Sequence, residues 1–133
     1  MILKINPYAI PGLKREPQVD ITKQVIRYIE WFCLTHEVCY EDLLGKRRTG
    51  YLVYLRHLCI HIIWEAMYYK NLSLFRLGKI CNRNHATIIH SIKSSENGIK
   101  YNTPLPKSSP KKLLSTYSTR KEHFDAVYIK MTS

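Results

Sequence analysis

The sequence predicts an all-α protein, a small helical bundle built around a helix-turn-helix, and three observations carry that prediction. Apolar residues recur at intervals of three and four in four successive segments. Between them stand residues that start and stop helices, among them Gly45, Asn71 and Ser73. Residues 73–95 read as a short helix, a tight polar turn and a second helix. The 133 residues suffice for one domain with tails, and a hydrophobic content of 45% is ordinary for a globular chain that folds without disulfides or metal.

In chain order, residues 1–19 read as an extended arm, because three prolines and Gly12 oppose a helix there. Asp20 is suited to N-cap a helix from residue 21 to about 35, with Val25, Ile29, Phe32 and Cys33 on one face. A short helix over 40–44 is stopped by Gly45. Three adjacent cations follow, Lys46, Arg47 and Arg48. From about 49 to 69 the pattern is helical again, with Leu52, Leu55, Leu58, Ile62, Ile63 and Met67 on a broad apolar face. Trp31 and Trp64 are expected as core anchors, and most of the ten tyrosines fall in helical registers near the core. Ser73 offers a cap for a helix over 74–81, and Asn82, Arg83 and Asn84 form the connection. The next helix begins at His85, turns Ile88, Ile89 and Ile92 inward, and is expected to stop at Asn97 and Gly98. Residues 99–133 are expected to be a basic Pro/Ser/Lys linker and tail, disordered or with one marginal helix. The folded domain is thus set at 20–98.

The formal net charge is +11, which points to a polyanionic partner. The charge is uneven: residues 43–100 carry ten basic groups against two acidic, and 101–133 carry six against two, whereas 1–42 carry five against six. The N-terminal stretch has no long apolar run, so it is not read as a signal peptide. No apolar stretch approaches the ~20 residues of a membrane span. The four cysteines form no CxxC pair, which suits a reducing, cytoplasmic setting.

The helix-turn-helix over 73–95 would place Arg83, Asn84, His85, Ala86 and Thr87 at the start of its second helix, the end that faces base edges in the major groove. These residue types suit that position. Arginine bonds guanine bidentately, asparagine does so with adenine, and alanine or the threonine methyl packs on the thymine methyl.

The residues Asp42-Leu43-Leu44-Gly45-Lys46-Arg47-Arg48, then Arg56, Ser73-Leu74 and Gly78, and finally Arg83-Asn84-His85-Ala86-Thr87-Ile88-Ile89-His90 carry a resemblance. Over roughly 20–97 the chain resembles the C-terminal DNA-binding domain of the bacterial replication initiator DnaA. That family shows a DLL-x-KRR stretch, an S-L-x-x-I-G helix and an R-D-H-[TA]-T-[VI]-[LI]-H signature. The resemblance implies a Trp-repressor-like helix-turn-helix with Arg83, Asn84, His85, Ala86 and Thr87 toward the major groove. It implies that Lys46, Arg47, Arg48 and Arg56 lie in or near a basic loop reaching the minor groove and phosphates. It also implies that Ser73, Leu74 and Phe75 offer N–H groups at a helix start to a phosphate. Asn84 stands where the family has aspartate, and Ala86 replaces its first threonine. Cys81-Asn82 replaces paired glycines, Tyr54 stands near the place of an arginine, and the stretch from Arg56 to Ser73 is a few residues longer. These departures bear on which site is read more than on DNA binding, because the cations remain. The family's ATPase domain has no counterpart, since no G-x-x-x-x-G-K-[ST] loop occurs. The chain therefore reads as a stand-alone DNA-binding piece.

Other candidates carry less. His57 and His61 are four apart on one helix, but Cys59 points elsewhere and a zinc site needs more ligands. His57 is expected to pack or meet a phosphate, His85 to contact base or phosphate, and His90 to make a structural hydrogen bond. Cys81, near a helix C-terminus, lacks the setting of a reactive thiol. Glu41 and Asp42 are a solvated first-turn pair. No catalytic constellation, metal or cofactor is called for. The expected function is binding of double-stranded DNA, sequence-specific and related to DnaA-box recognition in replication initiation or its regulation, with replication or regulatory proteins as further partners. Its competitor is a degenerate helix-turn-helix that docks on an acidic protein. The oligomeric state is left open.

Overall fold

The computed structural model describes residues 21–46 and 48–133. The expected arm over 1–19, the Asp20 cap and Arg47 lie outside these residues. Helix α1 (Ile21–His36) buries Val25, Ile29, Phe32 and Cys33 at helical spacing, the stripe expected of it. The backbone then turns through Glu37 at φ 55° into α2 (Tyr40–Leu44), which buries Leu43. A Cβ at Gly45 would run into the carbonyl oxygen of Glu41, so glycine serves there for space. Its φ of −79° needs no left-handed freedom.

Helix α3 (Gly50–Met67) starts at the cap Thr49, whose side chain accepts from the Leu52 N–H at 3.4 Å. The sequence implied one broad apolar face. Instead, every residue from 58 to 63 is buried, because α1 and α2 pack on one part of α3 and α5 and α7 on another. A helix surrounded in this way is the central strut of the core. Trp31 and Trp64 sit half-buried at its rim.

A 3₁₀ turn (Tyr68–Lys70) and Asn71 at φ 67° reverse the chain into α4 (Leu74–Cys81) and α5 (His85–Lys100). Helix α5 does not stop at Asn97 and Gly98. Gly98 is buried under the Arg120 side chain, whose Cδ would lie 2.9 Å from a Cβ added there. The glycine is a site of close approach between helices, and the helix runs on through it.

Beyond Tyr101 the chain is packed rather than a loose linker. Leu105 and Ser109 are buried, Pro104 bridges to Thr119, and two helices follow, α6 (Lys111–Thr116) and α7 (Arg120–Thr132). Helix α7 lies on α3 and α5 and buries His123, Val127 and Met131, one residue per turn on one face. With a histidine heading that stripe, little apolar periodicity showed in the sequence. The His123 ring joins three helices. Its Nε2 is 2.9 Å from His36 Nε2, and its Nδ1 is 2.6 Å from the Tyr54 hydroxyl. Burial, and secondarily His36, push His123 down to about 3. His61 is likewise buried, 2.8 Å from Ser95 Oγ, and burial pushes it down to about 4. Among the described residues there is no strand pairing beyond the Pro104–Thr119 bridge, and no helix is long and apolar enough to cross a membrane.

Candidate nucleic-acid interface

Helix α4, its turn and α5 form a helix-turn-helix whose geometry follows from four side chains or their absence. Ser73 Oγ accepts the Arg76 N–H at 3.0 Å and starts α4. Asn82, at φ 55°, takes the left-handed conformation that asparagine tolerates better than most residues. The Arg83 N–H returns to the Gly78 carbonyl at 2.7 Å, and a Cβ on Gly78 would meet the Arg83 carbonyl oxygen at 2.5 Å. Only glycine lets α4 and the turn close this tightly. Asn84 then caps α5: its Oδ1 accepts from the Thr87 N–H at 2.8 Å and from the Thr87 hydroxyl at 3.0 Å. The family aspartate and this asparagine share that ability, because capping needs an acceptor oxygen. Asn84, His85 and Ala86 are exposed, Thr87 is half-buried, and Ile88 is fully buried behind them with Ile89 half-buried.

The basic loop adjoins this helix start. Arg83 Nη2 donates to the Gly45 carbonyl at 2.6 Å, tying the turn before α5 to the loop after α2. Arg56, expected near the DNA, is turned inward. It is buried, with Nε donating to the Leu43 carbonyl at 2.5 Å and Nη2 to the Asp42 carbonyl at 3.4 Å. These are carbonyls at the C-terminal end of α2, where a cation is favoured. Burial, Arg83 and Arg48 lower the Arg56 pKa from its usual value. Lys46 and Arg48 are exposed.

Between loop, α3 and α5 opens a groove of about 500 Å³, lined by Lys46, Arg48, Arg56, His57, Arg83 and His90 among others and, among the described residues, by no carboxylate. His57 and His90 meet edge to face at 5.8 Å between ring centroids. Burial first, then His90, Arg56 and Arg120, push His57 down to about 4, so it is neutral at pH 7. His57 therefore adds no charge to the lysine and arginine of the groove at pH 7. His90 is exposed, with a 3.5 Å contact to Ser94 Oγ on its own helix. Sequence reasoning did not join His57 and His90 in one groove, although their helical registers alongside Arg56 and Thr87 held the signal.

The third cluster is spread along α4. Ser73 is engaged as the cap, Leu74 is half-buried, and Phe75 is exposed with Lys79 Nζ 4.6 Å from its ring centroid. Cys81 is buried and its thiol pushed up to about 11 by burial, the opposite of an activated nucleophile. Among the described residues no three histidines, cysteines or carboxylates gather in a way that could hold a metal.

A helix-turn-helix with an exposed second-helix start, beside a groove lined by lysine and arginine, is the architecture of a DNA-binding domain. The chain belongs to the bacterial DnaA helix-turn-helix family, whose model matches residues 20–94. It is 25% identical over 103 residues to the chromosomal replication initiator protein DnaA of Caldanaerobacter subterraneus subsp. tengcongensis, covering 77% of this chain and 22% of that protein. It is 31% identical over 72 residues to the DnaA of Leptospira biflexa, covering 54% and 16%. To the DnaA of Thermoanaerobacter sp. it is 26% identical over 98 residues, covering 74% and 21%. The chain thus spans about a fifth of the length of these relatives, and the family places it among DNA-binding domains rather than enzymes. No solved structure matches it.

Proposed function

We propose that the chain reads a specific site on double-stranded DNA, in replication initiation or its control, within the cytoplasm. The start of α5 enters the major groove, where Arg83, Asn84, His85, Ala86 and Thr87 meet base edges. Lys46, Arg47 and Arg48 hold the backbone and reach the adjacent minor groove. Ser73, Leu74 and Phe75 meet a phosphate at the start of α4. Arg56 supports the loop from inside. The observation that carries the reading is the exposed Asn84-His85-Ala86 corner beside the cationic groove. A phosphate seated in that groove relieves the mutual repulsion of its cations. The caps on α4 and α5 fix the backbone of the base-reading residues in advance, and Arg83 exchanges its bond to the Gly45 carbonyl for a base.

Fluorescence polarisation at near-physiological salt, with a DnaA-box duplex and a scrambled duplex, tests this. Preference for the box supports a DnaA-like reader despite Asn84 and Ala86. Equal binding keeps DNA as the ligand and moves the question to another site, sought by selection from random duplexes. Absence of binding to either overturns the proposal and favours a domain that docks on an acidic protein.

A further inference from the structure

The family match ends at residue 94, yet the chain folds back on itself well beyond it. Residues 106–110 come to rest against the first residue of α3: a Cβ added to Gly50 would lie 3.2 Å from Ser108 Oγ. Gly50 follows Arg48 by two residues, so the returning segment stands within about 8 Å of backbone from the basic loop. It brings Lys107, Lys111 and Lys112, all exposed and none in an ion pair among the described residues. The segment is held in place by the buried Leu105, by the Ser109 N–H on the Pro106 carbonyl at 3.0 Å, and by the Pro104–Thr119 bridge. Glu37 lines the same pocket as Lys112. Among the described residues that pocket holds Lys112 and Lys130 against the one carboxylate, and Lys107 and Lys111 add to the positive charge of a segment that meets the chain two residues after Arg48.

Resting on the DNA-binding reading above, we propose that Lys107, Lys111 and Lys112 form a second phosphate-contact element on the same duplex, lying beyond the basic loop. Each DNA strand carries a phosphate every ~3.4 Å of axis, so a patch this close to Arg48 meets the backbone within a few phosphates of it. These lysines carry no base information. They add affinity and salt dependence, and the packed segment offers them ready placed.

The test compares the full chain with the triple variant Lys107→Gln, Lys111→Gln, Lys112→Gln and with its arginine counterpart, on the duplex the parent binds best, between 50 and 200 mM salt. Three phosphate contacts steepen the plot of log affinity against log salt by about 2.7, a roughly 40-fold difference in how much affinity is lost over that interval. The glutamine variant is expected to show the shallower slope with unchanged preference between duplexes, and the arginine variant to keep the parent slope. An unchanged slope in the glutamine variant overturns the proposal and leaves the patch to an acidic protein. A loss of affinity that arginine does not restore also overturns it, since charge is then not what the lysines supply. Failure of the parent itself to bind any duplex refutes the underlying DNA-binding reading instead.

Discussion

Acid should unfold this protein through its buried histidines, and His123 shows why. His36 Nδ1 donates to the Phe32 carbonyl at 2.9 Å, which leaves its Nε2 to accept from His123 Nε2–H. His123 Nδ1 then accepts from the Tyr54 hydroxyl. Every ring nitrogen has one role, and there is no site for another proton. An unfolded histidine titrates near pH ~6.5, whereas His123 is held at about 3 and His61 at about 4. Between those values the unfolded chain binds more protons than the folded one, so stability is complete above pH ~6.5 and declines as pH falls. At pH 5.0 each group stands ~1.5 pH units below its unfolded value, so each costs ~2 kcal/mol. These two alone remove ~4 kcal/mol from a total that is typically ~5–15 kcal/mol, and His57, also held at about 4, adds to the loss in the same direction. Urea unfolding at pH 7.5, 6.0 and 5.0 measures this directly. The variant His123→Phe should be less stable at pH 7.5, because Tyr54 and His36 lose a partner, but should depend less on pH. Equal stability of the parent at pH 7.5 and 5.0, or a variant with the parent's pH slope, would refute the neutral-network reasoning.

Replacing Gly78 with alanine should destabilise by ~1–3 kcal/mol, although alanine is the better helix former, because the new methyl meets the Arg83 carbonyl. A raised urea midpoint for this variant would contradict the close approach. Asn84→Ala should cost ~1 kcal/mol through the lost cap, while Asn84→Asp should be at least as stable as the parent, since aspartate also caps and its charge suits a helix start. Thermal melts of the two variants decide it. Iodoacetamide should add to Cys39 alone in the native protein, because Cys33, Cys59 and Cys81 are buried with thiols pushed upward. Intact mass should then show one adduct before denaturation and four after it.

Local signals in the sequence were read well where one residue type performs one task. Ser73 as a cap and the limits of α4 are such cases, as is the buried stripe of α1. The exposed corner from Asn84 to Ala86 also follows from helix position alone. What escaped depended on contacts distant in sequence. Gly98 looked like a stop until Arg120 was seen lying across it. Arg56 looked like part of a solvent-facing cationic loop, but its target is the end of α2, thirteen residues earlier in the chain. Residues 99–133 looked like a tail because their inward stripe is headed by a histidine, and that histidine's partners lie on α1 and α3.

The contact between His36 and His123 joins residues 87 positions apart. Closing so long a loop is entropically costly and brings little reward until both ends are folded. While α7 is undocked, the Tyr54 hydroxyl and the His36 ring lack the His123 partner that joins them. Docking of α7 closes the core between them. A chain in that state keeps the α4–α5 helix-turn-helix but lacks its final stability, so a protease would recognise it by the uncovered flank of α3.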